Sequence, residues 1–374
     1  MNREKRIDPF APHSIGKLHL KNRFALAPMT RISASIDGIP SEKMLQYYKS
    51  FAEGGFGLII TEGTYIDDKY SQTYQYQPGI VFEKHIEGWK KIQEAIHESG
   101  AKAIMQIQHS GALSQGNYYS TKTIAPSAIK PLGKQLEFYH GKGEYQTPSE
   151  ATLSEIEQIK SAFVKAAINA QKAGFDGVEI HGANGYFLDQ FLSSYTNLRT
   201  DQYGGSFENR VRLLTEVIKD VRENVKPEFI VGIRISQGKV NDYHHKWEGI
   251  NEAEIIFNEL TGAGIDYLHI TEFNAALPAF NQKQPDDERV PSLALLAKKI
   301  TGLPILSNGS IDSIESVNHM LNSEESDFVT IGKAALANHN FPILLKNRQE
   351  TQQFDSEKIL RPFADLKDFE YSNN

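Results

Sequence analysis

The 374-residue chain contains no cysteine. That absence removes disulfides, thiolate nucleophiles, cysteine zinc sites and iron–sulfur clusters together. Positive charge is in the minority: 40 Lys and Arg stand against 47 Asp and Glu, for a net charge of −7. With no basic field to meet phosphates, nucleic acid is excluded as a general partner. No apolar run approaches the roughly 20 residues that cross a bilayer. The segment Met1-Asn2-Arg3-Glu4-Lys5-Arg6 lacks the apolar stretch of a secretion signal. Together these absences point to a cytoplasmic protein with no membrane partner. Neither a complete G-x-G-x-x-G nor a Walker A pattern occurs, so a nicotinamide cofactor is expected to bind only transiently, without a Rossmann domain. No repeat, low-complexity tract or linker divides the chain, and residues 1–374 read as one domain.

What is present is a regular alternation. Hydrophobic residues at 40% and charged residues at 23% describe an ordinary globular composition. Short β-branched or apolar runs fall at Phe24–Ala27, Leu58–Thr61, Ala103–Ile107, Val178–His181, Ile230–Ile235, Tyr267–Ile270, Ile305–Ser307 and Phe328–Ile331. Amphipathic helical patterns separate them, around Met44–Glu53, Trp89–Ser99, Ser154–Gly174, Ser206–Val225, Glu252–Gly262, Leu293–Ile300 and Ile314–Leu321. About eight strand–helix units predict an α/β fold of the (β/α)8 TIM-barrel type, ahead of a doubly wound sheet. Ile15–Leu20 reads as a small hairpin closing the barrel floor. The long insertion after strand 3, His109 to about Glu150, is expected to cap the mouth.

Barrel chemistry gathers at the C-terminal ends of the strands. Polar groups recur there: Pro28-Met29-Thr30, Glu62-Gly63, Gln106 to His109, Arg234, Thr271-Glu272, Asn308-Gly309 and Gly332-Lys333. The fourth strand leads into Val178-Glu179-Ile180-His181-Gly182-Ala183-Asn184-Gly185-Tyr186-Phe187-Leu188, which reads as a strand breaking at glycines. An imidazole, a carboxamide and a phenol thus fall within six residues at His181, Asn184 and Tyr186. Such a set can polarise a carbonyl or nitro oxygen while an acid waits beside it. A buried, hydrogen-bonded histidine before an ordinary loop fits the same residues. The last two strands end in Ser307-Asn308-Gly309-Ser310 and Gly332-Lys333, glycines and a lysine where barrels commonly hold phosphate.

These residues resemble the FMN-dependent Old Yellow Enzyme family of ene-reductases over nearly the whole chain. The most specific matches are His181 to Leu188 and Asn197-Leu198-Arg199-Thr200-Asp201-Gln202-Tyr203-Gly204-Gly205-Ser206-Phe207-Glu208-Asn209-Arg210, supported by Ala27-Pro28-Met29-Thr30 and Gln106. The resemblance implies bound FMN, with NADH or NADPH as a transient hydride donor, and electrophilic alkenes or quinones as substrates. It implies that Ala27, Pro28, Met29 and the Thr30 hydroxyl line the isoalloxazine, that Gly63 adds a backbone N–H, and that Gln106 pairs with its pyrimidine edge. Arg234 would lie near N1 and O2; an inward arginine paired with Glu179 is the plainer reading. Ser307, Asn308, Gly309, Gly332 and Lys333 would meet the phosphate. His181 and Asn184 would bind the substrate oxygen and Tyr186 would protonate the α-carbon. A homo-oligomer is compatible with the family.

The chain departs from the family in places. Lys333 stands where many relatives carry arginine, which removes bidentate phosphate capture. His109-Ser110-Gly111-Ala112 lacks the arginine often found at its fourth position, and Thr30 replaces the cysteine of one subgroup. Two rivals remain: a glycoside hydrolase using Glu62 and Glu272, and a non-catalytic flavin- or phosphate-binding barrel. No metal site is expected, because the adjacent His244-His245, read as part of a loop, lack ligand spacing and a second shell. Pro285-Asp286-Asp287-Glu288-Arg289 reads as an exposed charged loop, and Tyr65 to Tyr76 as a lining of the mouth or a packing surface.

Overall fold

The computed structural model describes residues 6–280 and 290–371. The charged segment at 285–289 lies outside the described residues. Eight parallel strands close into a barrel: β1 (Phe24–Leu26), β2 (Leu58–Ile60), β3 (Lys102–Gln108), β4 (Gly177–Asn184), β5 (Ile230–Lys239), β6 (Tyr267–Thr271), β7 (Ile305–Asn308) and β8 (Phe328–Ile331). Each pairs with its neighbours in chain order, β8 pairs back onto β1, and β2 pairs with β3. The helices between them are α1 (Glu42–Glu53), α2 (Glu83–Glu98), α3 (Leu153–Lys172), α4 (Phe207–Asn224), α5 (Ile250–Gly262), α6 (Leu293–Thr301) and α7 (Ile314–Asn322). Short helices at Lys333–Ala337 and Phe341–Lys346 follow β8. The TIM barrel expected from the alternation is what the chain adopts.

The helices start where their caps dictate. Ser41, Thr152, Ser206, Ser292 and Ser313 each accept an N–H from the first turn through the side chain. Helix α2 begins six residues before the expected Trp89, because the His85 ring turns back and its Nδ1 accepts from the backbone N–H of Val81 at 3.1 Å. A histidine cap of this kind leaves no ordinary signature.

Strand β4 corrects the sequence reading more substantially. It does not break at Gly182; it continues through Asn184. The reason is its partner β5, which runs on to Lys239 and keeps Arg234 opposite His181 and Ile235 opposite Gly182. A Cβ on Gly182 would sit 3.1–3.2 Å from Ile233 and the carbonyl of Arg234, so this glycine permits close packing within the strand.

Inside the barrel the period-2 alternation of the strands stacks side chains in layers. The lowest is apolar: Ala25, Leu58, Ile60, Ile104, Ile230, Tyr267, Leu306 and Phe328. The hairpin His13–Ile15 with Leu18–Leu20 plugs it from below, placing Ile15, Leu18 and Leu20 in the same cluster. Gly232 makes room for Tyr267, whose ring would lie 2.1 Å from a Cβ there. Above come Gln106, Glu179, His269 and Thr330, all buried, and above those His181, Arg234, Thr271 and Asn308. The same alternation that buries hydrocarbon at the floor thus turns polar groups inward at the top. Between barrel and helices a second, larger core is filled by residues such as Trp89, Phe163, Ile180, Phe187, Val231 and Phe257.

Candidate active site

At the floor of the mouth, Glu179 is fully buried and accepts three hydrogen bonds, from Gln106 Nε2 at 2.8 Å, Tyr267 Oη at 2.9 Å and His269 Nδ1 at 2.9 Å. Burial works to raise its pKa, but His269, Arg234 and Gln106 outweigh it and hold the carboxyl below its ordinary value. Because a carboxylate only accepts, the Gln106 amide must donate to it, which leaves the Gln106 oxygen for another partner. His269 continues the chain to Thr330 Oγ1 at 2.8 Å. Arg234 does not pair with Glu179: its Nη2 donates to Thr271 Oγ1 at 3.1 Å and Asn308 Oδ1 at 3.0 Å. Its buried Nε has no partner.

Directly above, His181 is buried and its Nδ1 is also unpartnered. Burial, reinforced by Arg234 and His269, pushes its pKa well below the ordinary histidine value, so the ring is a neutral donor at working pH. Its ring centroid lies 5.0 Å from that of Tyr186. Asn184 and Gly185 both take the left-handed conformation, with φ of 62° and 85°. That double turn ends β4 and brings Tyr186 back over the mouth. The Tyr186 hydroxyl lies 2.7 Å from the Tyr74 hydroxyl, and burial pushes the Tyr186 phenol up to about 12. Leu113, Tyr145 and Val240 pack around it.

The insertion therefore does cap the mouth, and the tyrosine-rich stretch contributes Tyr74 to it. Tyr74 stacks on Tyr139, whose hydroxyl donates to the Thr30 carbonyl at 3.1 Å. Tyr65 instead packs inside the fold, its hydroxyl 2.9 Å from that of Tyr119. On the opposite wall, Ala27 and Pro28 are buried while Met29 and Thr30 are half-buried.

The ends of β7 and β8, which bear Ser307 to Gly309 and Gly332-Lys333, lie side by side. Gly309 has φ 139°, and a Cβ there would lie 2.2 Å from the Glu272 carbonyl, so neighbouring backbone already demands this glycine. Gly332 is different: its Cβ position meets nothing closer than 3.8 Å, from Asn308, Met29 and Ala27, which leaves an open approach to its backbone. Ser307 Oγ is buried without a partner. Lys333 is exposed at the start of its helix and pairs with no carboxylate among the described residues; its Nζ is 6.0 Å from the Phe354 ring centroid. Unpartnered Arg234 Nε and His181 Nδ1 with the uncommitted Gln106 oxygen, and the open backbone at Gly332 beside exposed Lys333, are the kinds of donors and acceptors that a flat polar ring with a phosphate tail requires. The residues present fit FMN.

The chain as a whole is similar to known proteins. The NADH:flavin oxidoreductase / NADH oxidase family matches residues 8–352. The chain belongs to that family. An NADH oxidase of Thermoanaerobacter brockii is 32% identical over 94% of this chain and 52% of its own length, so the chain spans about half of that protein. The 12-oxophytodienoate reductase 2 of Arabidopsis thaliana is 32% identical over 88% of this chain and 86% of its own. The old yellow enzyme homologue of Zymomonas mobilis superposes with a TM-score of 0.84 at 31% identity, covering 98% of both chains. The protein is an FMN-dependent oxidoreductase that uses NADH or NADPH.

Family membership leaves the glycoside hydrolase reading unsupported, and the two acids agree. Glu62 is buried, accepting the N–H of Arg31 at 2.9 Å and the hydroxyl of Tyr48 at 3.2 Å. Glu272 accepts the N–H of Gln237 at 2.8 Å and Lys246 Nζ at 2.8 Å. Both carboxylates brace loops. His245 is likewise engaged, 3.1 Å from the Gln237 carbonyl and 3.2 Å from Ser193 Oγ, and no group of metal-ligand side chains occurs among the described residues. Residues missed from sequence were Tyr267, His269, Thr330 and the pair Asp189–Lys239; Tyr74 fell within the stretch read as a lining of the mouth, but without its contact to Tyr186. Strand position gave a signal for His269, which lies two residues below Thr271 on the inward face; Asp189 carried none.

Proposed function

We propose that this oxidoreductase reduces the activated C=C bond of α,β-unsaturated carbonyl or nitro compounds, and also quinones. The observation that carries the reading is the juxtaposition of a neutral, unpartnered His181, the left-handed Asn184 and the buried phenol of Tyr186 in one mouth. FMN, when bound, would supply the hydride chemistry, with NADH or NADPH as the source of reducing equivalents. Backbone at Ala27, Pro28 and Met29, the Thr30 hydroxyl, the Gly63 N–H, Gln106 and Arg234 would hold its ring. Ser307, Asn308, Gly309, Gly332 and Lys333 would meet its phosphate, Asn308 through backbone because its side chain is spent on Arg234 and Thr330.

The protein's own work is positioning and proton supply. His181 and Asn184 donate to the substrate oxygen, and those bonds tighten as enolate charge develops, which lowers the barrier. Tyr186 gives its proton to the α-carbon, and Tyr74, hydrogen-bonded to it, steadies the phenol. The partners are small electrophiles. A cytoplasmic location goes with the nicotinamide supply this chemistry draws on. The test is to release the flavin by heat and to assay 2-cyclohexenone with NADH and with NADPH under nitrogen. FMN as the released species and saturated ketone as product are expected; FAD, or quinone reduction with no attack on any enone or nitroalkene, overturns the reading.

A further inference from the structure

Asn184 and Tyr186 flank Gly185, so their mutual orientation depends on the two peptide units that meet there. Two consecutive left-handed residues are costly to hold, the more so because Asn184 is not glycine. The turn is therefore fastened from several sides. Asn184 N–H donates to Ser236 Oγ at 2.8 Å, and its carbonyl accepts from Val240 N–H at 3.0 Å. The Gly185 carbonyl accepts from Gln190 Nε2 at 2.8 Å. The Gly185 N–H, at the centre, donates to Asp189 Oδ2 at 2.6 Å.

Asp189 is fully buried, one turn into the short helix Phe187–Leu192. A lone carboxylate there would be strongly disfavoured. Its charge is met by Lys239, whose Nζ lies 2.5 and 2.7 Å from the two oxygens. Lys239 is itself buried, at the last position of β5, opposite Asn184 across a shift in the strand register. That shift brings the lysine stem under the turn. Among the described residues the two side chains hydrogen-bond only each other and the Gly185 N–H, not the side chains of Gln106, Arg234, His181, Asn184 or Tyr186, and the reaction has no direct use for them.

We propose that Asp189 and Lys239 form a positioning pair that holds the Gly185 N–H and so fixes the mutual geometry of Asn184 and Tyr186 for protonation of the substrate carbon. The inference rests on the ene-reductase reading for its kinetic consequence, not for its structural one. Tyr186 must reach a particular carbon, whereas a quinone takes its protons on oxygen, where solvent serves. A shift of the turn of about 1 Å is enough to cost roughly 10²-fold in a positioned step. The enone-to-quinone rate ratio should therefore report on the pair.

The experiment uses the FMN-loaded full chain in wild-type form and as Asp189→Asn, Lys239→Met, Lys239→Arg and the double variant Asp189→Leu/Lys239→Met. The double variant removes both charges together, so it retains a foldable interior even where a single variant leaves an unpaired buried charge. Two measurements are made: hydrogen exchange of peptides across residues 182–192, and the ratio of reoxidation rates by 2-cyclohexenone and by a benzoquinone. Asp189→Asn, Lys239→Met and the double variant should exchange faster at the turn, with β4 and β5 otherwise protected, and lose about 10²-fold in the ratio. Lys239→Arg should restore both. Unchanged exchange at the turn, or equal losses for enone and quinone, overturns the proposal. If wild type itself reduces no enone, the ene-reductase reading fails, while exchange still decides whether the pair holds the turn.

Discussion

In the proposed mechanism Tyr186 serves as an acid, and burial suits it to that: with its phenol pushed up to about 12, the proton is in place across the working pH range. Tyr186→Phe should therefore retain FMN and a near-normal rate of flavin reduction by NAD(P)H, while enone turnover falls about 10²–10⁴-fold, the usual worth of a general acid. Quinone reduction should survive. Rapid-mixing kinetics on the two half-reactions read this, and equal losses on enone and quinone would reduce Tyr186 to a packing residue. Lys333 poses a different question at the same scale. It is exposed and pairs with no carboxylate among the described residues, as a cation awaiting a phosphate would be. Lys333→Ala should weaken FMN binding by about tenfold, the low end for a charge-assisted contact because solvent screens it. Lys333→Arg should keep the affinity, and the alanine variant's loss should grow smaller with added salt. Flavin titration of apoprotein measures both; unchanged affinity in Lys333→Ala would place the phosphate elsewhere.

Among the elements, one device recurs without any sequence repeat to announce it. Asp176, Asp266 and Asp327 each stand just before an even-numbered strand. Each accepts through Oδ2 the N–H of a residue at the start of the preceding strand, Ala103 at 2.9 Å, Val231 at 2.8 Å and Ile305 at 2.8 Å. Each returns its own N–H to that residue's carbonyl, and each carboxylate meets a cation, Lys102 (with the His97 ring beside it), Arg222 or Lys298. In the first pair of strands Gly57 occupies the aspartate's place and Asn22 supplies the oxygen to Phe24 N–H instead. Burial works to raise the pKa of Asp176, but His97 and the Ala103 N–H outweigh it and hold it below the ordinary value. A depressed folded pKa stabilises the protein above the unfolded value of 3.8, and that contribution disappears as pH falls through the folded one. Asp176→Asn should thus cost roughly 1.5–3 kcal/mol at neutral pH. It should also flatten the fall of the urea midpoint below about pH 4; an identical acid limb in both proteins would show that Asp176 does not titrate with folding. This device also marks where sequence reading runs out. The barrel was legible because eight apolar runs are spaced by helical patterns, a signal spread over hundreds of atoms. The reach of β4 to Asn184 was not, because it is set by β5 across the sheet. His181, Asn184 and Tyr186 were legible from their chemistry at a strand end. The tyrosine-rich stretch placed Tyr74 at the mouth, but its pairing with Tyr186, 112 residues away, had no local pattern to betray it.

The whole molecule is closed by its C-terminal segment, which lies beyond the residues matched to the family. Residues 359–370 wrap back onto Arg31, the residue that follows the run Ala27 to Thr30 proposed to line the flavin. The Arg31 guanidinium is buried and donates to the carbonyls of Ala364 at 3.0 Å and Asp365 at 3.3 Å, and its Nη2 lies 2.7 Å from Glu370 Oε2 in a two-pronged pair. Leu366 N–H donates to Ser33 Oγ at 2.8 Å, and Ala364 N–H to the Phe138 carbonyl at 2.8 Å, so segment, insertion and β1 loop are laced together. Glu62 receives the Arg31 N–H from beneath. A planar, five-donor side chain suits this place; lysine could not serve three carbonyl and carboxylate partners in one plane. Glu370→Gln keeps the volume but leaves the guanidinium without its counter-charge, and removing one partner of a buried pair costs about 3–5 kcal/mol. Arg31→Met strands the Glu370 carboxylate at similar cost, whereas Arg31→Met with Glu370→Leu should lose markedly less than the two single losses added. The readouts are urea unfolding followed by tryptophan fluorescence and the rate at which FMN leaves the native protein. Both single variants should release FMN faster, because the loop bearing Met29 and Thr30 is held by the same residue. Single variants within about 0.5 kcal/mol of wild type, or strict additivity in the double, would mean that the C-terminal segment lies on the barrel without bracing it.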